Sequence, residues 1–243
     1  MNSRPILFKE EMIRAILEGR KTQTRRVIKP QPAPGEIGSF GQGMPFIRGD
    51  KKNILCPYGQ PGDQLWVREK WRIGAWREDS GCFAIDYCDG PLREWHNDPT
   101  DRDGEGFNKL WIQCSDELHA KGIKPDDDGH YRWEVGQSPL RWRPSRYMPR
   151  WASRITLEIT SVRVERLQDI SESDAIAEGV EGHYIEDGWY WRNHLLTDED
   201  ASISPMLTCP KESFSSLWQS INSADSWLAN SWVWVIEFKK VQP

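Results

Sequence analysis

Residues 19–26 read GRKTQTRR, which together with Lys29 set Arg20, Lys21, Arg25, Arg26 and a further cation side by side with no acid among them and Thr22, Gln23 and Thr24 between. A hydroxyl and an amine three residues apart, Thr24 and Lys21, are the parts of an activated nucleophile: the hydroxyl attacks, and the amine, when neutral, takes its proton. Neutrality requires a depressed lysine pKa, from burial or from neighbouring cations, and Arg20, Arg25 and Arg26 are such neighbours in sequence. Side chains 21 and 24 point to opposite faces of a straight strand, so the segment has to bend for both to reach one pocket. The competing reading is a solvated basic rim.

A second stretch, RWRPSRYMPRWASR at 141–154, carries five arginines and no acid. Trp142, Tyr147 and Trp151 alternate there with Arg141, Arg143, Arg146 and Arg150, a mixture able to stack on bases while holding phosphates. Arginines tied to nearby acids, with the aromatics in the core, are the equal alternative. The stretch from Asp98 to Glu134 is by contrast rich in acids, including DDD at 126–128, so the net charge of −5 excludes a uniformly basic coat but not a local basic field.

The elements that position these residues are legible from periodicity. Lys9–Glu18, KEEMIRAILE, places Met12, Ile13, Ile16 and Leu17 on one stripe, which predicts a short amphipathic helix stopped by Gly19. KPQPAPGEIGSFGQG at 29–43 is a loop or extended connector, and PGDQLWVREKW at 61–71 a turn followed by a strand. In RITLEITSVRVERL, 154–167, Ile155, Leu157 and Ile159 alternate with Thr156, Glu158 and Thr160, and Val162 and Val164 follow at the same two-residue spacing, which predicts a half-buried strand with a bulge. SESDAIAEG begins with Ser171 and has Asp174 three residues on, a capping box opening a helix over about 172–178. SWVWVIEFKKV, 231–241, is a further strand, expected to be central to a small barrel. Residues 72–150 carry no sustained period and are expected to form short strands and long loops.

Composition narrows the classes. A chain of 243 residues with 37% hydrophobic content and mean hydropathy −0.72 has no apolar run of the roughly 18 residues a membrane span needs, and MNSRPILFKEE lacks a secretory core, so a cytoplasmic protein without a membrane partner is expected. The five cysteines show no C-x-x-C pair. Neither a disulfide framework nor a standard zinc site is indicated, although Cys82 and Cys88 with His96, His119 or His130 are available to a fold that gathers them. The fourteen tryptophans are read chiefly as core. No Gly-rich phosphate cradle occurs, and no cofactor or metal is expected.

The ordered blocks RPILF, ILEGRKTQTRR, PGDQLWVRE, ITLEITSVRVERLQDISESDAIAEG and WVWVIEFKKV resemble the ASCH domain family, and in particular its long phage- and prophage-type members. The resemblance implies an α+β fold: a PUA-like β-barrel with short flanking helices, forming a single domain over 1–243. Its core blocks would be about 4–30, 58–71, 151–180 and 230–241, with insertions at about 72–150 and 181–229. The blocks cover about half the chain. Within the family the catalytic motif is similar to that of the N4-acetylcytidine amidohydrolases, which implies a Lys/Thr/Glu group at Lys21, Thr24 and Glu178, with Arg20, Arg26 and Trp66 shaping the substrate pocket.

A carboxylate at Glu178 falls in the last turn of the capped helix, against the negative end of its dipole, a placement costing roughly 0.3 to 1 kcal/mol when exposed. A pocket shared with Lys21 would compensate it; a solvated Glu before a Gly cap is the plain alternative. Two functions follow. One is amide hydrolysis of an N4-acylated cytidine-type nucleoside or modified base. The other is RNA or DNA binding, or ribonuclease action, with Arg141, Arg143, Arg146, Arg150 and Trp151 as the nucleic-acid track. A weaker third is a phage protein that engages a host protein through the acidic insertion.

Overall fold

The computed structural model describes residues 2–40, 43–49, 52–77, 82–88, 93–96, 105–186, 188–196 and 206–241. The protein is mixed α+β and divides into two compact units, the first formed by residues 1–4, 14–65 and 157–243 and the second by 5–13 and 66–156. The boundary falls inside β1 (Ser3–Leu7), α1 (Glu10–Leu17), β5 (Gln64–Arg68) and β10 (Thr156–Arg166). No helix among the described residues is long and apolar enough to cross a membrane.

The principal sheet has five strands in the order β1-β5-β10-β13-β2, with β2 at Gln23–Val27 and β13 at Trp232–Val241. The strands expected at 154–164 and 231–241 are thus neighbours in one sheet. Interior position explains why Val233, Trp234, Val235 and Ile236 of β13 are all buried: both faces of the strand are covered. Antiparallel pairing sets Glu237 opposite Gln23, Ile236 opposite Thr24, Val235 opposite Arg25 and Trp234 opposite Arg26. Alternation then assigns Gln23, Arg25 and Glu237 to one face and Thr24, Arg26 and Trp234 to the other. Along β10 burial changes phase between Ile159 and Val162, as the sequence pattern requires.

In α1 Met12, Ile13 and Ile16 are buried on the expected stripe. Gly19 ends the helix in the left-handed region at φ +77°, where the Ala15 carbonyl accepts from the N–H groups of both Arg20 (2.9 Å) and Lys21 (3.0 Å). In α3 (Glu172–Ala177) the Ser171 hydroxyl accepts from the Asp174 N–H at 3.1 Å. Only that half of the capping box forms, because the Asp174 carboxylate is drawn to two arginines instead. The first unit also holds β3 (Ile37–Ser39) paired with β4 (Pro45–Ile47), β11 (Gly182–Ile185) paired with β12 (Gly188–Trp191), and α4 (Pro210–Asn222), which buries Phe214, Leu217 and Trp218. Pro210 opens α4 at the position where its missing N–H costs nothing.

The second unit is built on the sheet β8-β7-β6-β9, with β6 at Trp71–Arg77, β7 at Cys82–Tyr87, β8 at Arg93–His96 and β9 at His130–Tyr131. Loops and short strands were the expectation for 72–150, and the structure corrects it with a 16-residue helix, α2 (Glu105–Ala120). Leu110, Cys114 and Leu118, spaced four apart, bury its seam against Ile73, Trp76, Phe83 and Ile85. A seam this narrow, with a cysteine in its middle and acids around it, gives a faint helical period. Trp76 sits at the centre of the cluster, its ring centroid 4.3 Å from Tyr131, 4.8 Å from Trp111 and 6.1 Å from Phe83. Trp76→Ala is therefore expected to cost about 3–5 kcal/mol, checked by urea denaturation, with disappearance of the near-UV circular dichroism of the aromatic cluster.

Candidate functional site

Strand β2 at the edge of the principal sheet, the end of α1 and the end of α3 meet at Lys21. Its Nζ donates to the Glu178 carbonyl oxygen at 2.7 Å and to the carboxylate Oε2 at 2.8 Å, with both side chains almost fully buried. The close approach depends on Gly179, in the left-handed region at φ +88°, where a Cβ would stand 2.8 Å from Lys21 Cβ and 2.9 Å from Ala15 Cβ. The segment 20–22 supplies donors to three successive carbonyls at the α3 C-terminus: the Thr22 N–H to Ala177 (2.9 Å), Lys21 Nζ to Glu178, and Arg20 Nη1 to Gly179 (3.1 Å). Cations and donors at this end of a helix satisfy its orphan carbonyls and offset the dipole, and they compensate the placement of Glu178.

Glu178 is held from a second side. Arg25, fully buried, donates from Nη1 to Glu178 Oε1 at 3.1 Å, and from Nη2 to Asp174 Oδ2 at 2.9 Å and to Glu165. Arg163 extends the network to Asp174 (2.7 Å), to Glu165 Oε2 (3.2 Å) and to Glu237. Phe214 of α4 covers the Arg25 guanidinium at 5.7 Å. Arg163 and Glu165 reach this face because the phase change in β10 precedes them. Sequence reasoning counted Arg25 only as a neighbouring charge and missed its partners Glu165 and Asp174, and Arg163 and Glu237, which extend the network. Their one signal was a pair of charged residues at two-residue spacing in a half-buried strand.

Burial drives the Lys21 pKa below its ordinary value; Glu178 opposes the shift, and Arg26 and Arg25 add to it. Arg26 is likewise lowered by burial, and is held charged by Tyr58, which hydrogen-bonds to it, and by Glu178. Lys21, Glu178, Arg25 and Arg26 therefore act on one another electrostatically. Nothing in the sequence marked Tyr58.

Thr24 is buried on the β2 face that carries Arg26. Lys21 precedes β2 instead of belonging to it, and Arg25, which shares its partner Glu178, lies on the β2 face opposite to Thr24. Arg20 lies at the surface, its Nε bonded to Glu18 Oε2 at 2.7 Å. Trp66 belongs to the second unit, where it is buried with the guanidinium carbons of Arg68 and Arg150 at 4.6 and 6.0 Å from its ring. Arg141, Arg143, Arg146, Arg150 and Trp151 are in that unit as well. The structure joins Lys21 to Glu178 and brings Arg26 within their field; Arg20 is engaged by the helix end.

One group among the described residues, Asp126, Asp128 and His130, has ligand atoms within 4.8 Å of one another. Asp126 Oδ1 there accepts from the backbone N–H of Asp128 and His130, closing its own turn. Cys82 and Cys88 form no such group with His119 or His130 among the described residues, and the His96 side chain lies outside them. No protein-family model, curated protein or solved structure matches the chain.

Removing Glu178 would leave Lys21 and Arg25 buried without their shared carboxylate. Glu178→Ala is expected to cost about 3–5 kcal/mol in urea denaturation. The Lys21 pKa is lower folded than unfolded, so the unfolded chain binds that proton more tightly. Its contribution to stability therefore rises with pH through the window between the folded value and 10.5, a gain that Lys21→Met should remove.

Proposed function

We propose that the protein is a PUA-like, ASCH-type amidohydrolase that removes the acyl group from an N4-acylated cytidine-type nucleoside or modified base, with Lys21, Thr24 and Glu178 as its catalytic group. The observation that carries this reading is the buried contact of Lys21 Nζ with Glu178 Oε2 at 2.8 Å, where burial lowers the pKa of the amine. The family's five-block order, the α+β fold and the adjacency of β10 and β13 support it, and closure of the principal sheet into a barrel is part of the proposal.

In this mechanism the Thr24 hydroxyl attacks the acyl carbonyl carbon and its proton passes to neutral Lys21. The tetrahedral oxyanion forms near Arg26, whose guanidinium shares the Thr24 face of β2 and stabilises it. The C–N bond breaks as the lysine ammonium returns the proton to the exocyclic amine, leaving cytidine and a Thr24 ester. Water, deprotonated by the again neutral Lys21, attacks that ester; the C–O bond to Thr24 breaks as the lysine ammonium returns the proton to the Thr24 oxygen, and the carboxylic acid is released. Glu178 orients the amine and stabilises its protonated form between steps; it is fixed for that task by Arg25. Neither redox chemistry nor an electrophilic metal enters these steps.

Turnover of N4-acetylcytidine, followed by release of cytidine, tests the reading. Lys21→Met and Thr24→Ala should abolish it, Thr24→Ser should retain a part, and activity should rise with pH at values below the ordinary lysine range, because burial lowers the Lys21 pKa. If both Lys21→Met and Thr24→Ala turn over the substrate at the wild-type rate, the basic segment is a helix cap and a rim only. Absence of turnover by the wild-type protein would favour the alternative of a non-catalytic nucleic-acid module or ribonuclease.

A further inference from the structure

The second unit contains a cleft of about 650 Å³ whose walls include Trp71, Trp142, Tyr147 and Trp151 together with Arg141 and Arg143. We propose that this cleft binds a single-stranded nucleic acid, stacking a base against its aromatic walls while arginines of the 141–151 segment hold the flanking phosphates. The residues of the hydrolase site lie in the other unit, so the inference stands or falls independently of that reading.

The 141–154 arginines admit two readings from sequence, and the structure divides them. Arg154 is taken up by Glu69 in a buried two-pronged pair at 2.8 and 3.0 Å, and Arg141 reaches Glu117. Arg143, Arg146 and Arg150 form no ion pair with a carboxylate of a described residue. Arg143 is instead fixed in place by neutral partners, with Nη1 bonded to Gln113 Oε1 at 3.1 Å and the guanidinium 5.8 Å from the Trp71 ring. Arg150 donates to the Thr156 hydroxyl at 3.1 Å. Cations without counter-carboxylates in a chain of net charge −5 mark a place where an external anion is favoured.

The aromatic side of the cleft fits the same ligand. Tyr147 is 67% exposed and carries the Arg146 guanidinium 5.1 Å from its ring, a stacked pair open to solvent. Trp142 bears Arg72 at 4.4 Å, and Trp151 meets Trp71 edge-on at 6.2 Å. A polyanion that also carries flat rings uses both the cations and the aromatics. A proline-rich peptide would use the aromatics alone, and a duplex hides its bases in the stack. The cleft volume is in the range of specific ligand sites.

The full-length protein titrated into fluorescently labelled single-stranded RNA and DNA oligonucleotides, with anisotropy read across a salt series, tests the proposal. Wild-type binding should weaken as salt rises. Tyr147→Ala should weaken binding at fixed salt roughly 5- to 150-fold, the effect of removing one base stack, whereas Tyr147→Phe should bind as wild type does. The double variant Arg146→Ala, Arg150→Ala should flatten the dependence of log K on log salt by roughly 0.7 for each phosphate that is no longer neutralised. Lys21→Met should bind unchanged. The proposal is overturned by absence of binding at low salt, by an abasic oligonucleotide binding as tightly as the intact one, by an unaffected Tyr147→Ala, or by abolished binding in Lys21→Met, which would move the nucleic acid to the first unit.

Discussion

The contact of Lys21 with Glu178 is the constraint on which the first unit depends. It ties the end of α1, the entry to β2 and the C-terminus of α3 at one buried point, and the two charges are tolerable there only because each is paired and hydrogen-bonded. Gly179 has to be glycine for the three segments to approach, and Gly19 has to turn the chain for Lys21 to arrive. Arg25 then occupies the second oxygen of Glu178 and passes the charge balance on to Asp174, Glu165, Arg163 and Glu237. The outer members of the network are part-exposed, so their contribution is screened by solvent, whereas the Lys21–Glu178–Arg25 centre is not.

That arrangement gives the basic segment two tasks. Its donors close the C-terminus of α3, a structural role that any helix end requires, and the same burial lowers the Lys21 pKa, which is what a lysine base requires. These roles do not conflict: a lysine held by a carbonyl and a carboxylate is oriented, and an oriented amine that gives up its proton readily can serve as a base. A solvated rim would have left the cations exposed and their pKa values ordinary.

Much of this was legible in the sequence. Periodicity gave α1, β10 with its phase change, β13 and the Ser171-capped α3, because each buries one stripe or face of its own residues. The helices α2 and α4 were hidden for different reasons. In α2 the seam is three residues wide along its length, Leu110, Cys114 and Leu118, while the buried Phe214, Leu217 and Trp218 of α4 lie in a stretch read only as an insertion. The charge network around Arg25 was barely legible. Its members come from β10, α3 and, through Arg163, β13, and only the sheet order and register bring them together. Asp174 shows the limit most plainly: its spacing from Ser171 announces a reciprocal cap, yet two arginines from distant strands outcompete a single backbone N–H for its carboxylate. The 141–154 arginines were likewise ambiguous until Glu69 and Glu117 were located in space.

The most direct measurement of the central claim is the titration of the Lys21 amine itself, by NMR of protein carrying isotope-labelled lysine, with Lys21→Arg used to assign the resonance. The account predicts that Lys21 loses its proton below the pH at which the surface lysines do, and that Glu178→Gln lowers its pKa further, since Glu178 is the group that holds the charge in place. A Lys21 amine that titrates with or above the surface lysines would contradict it.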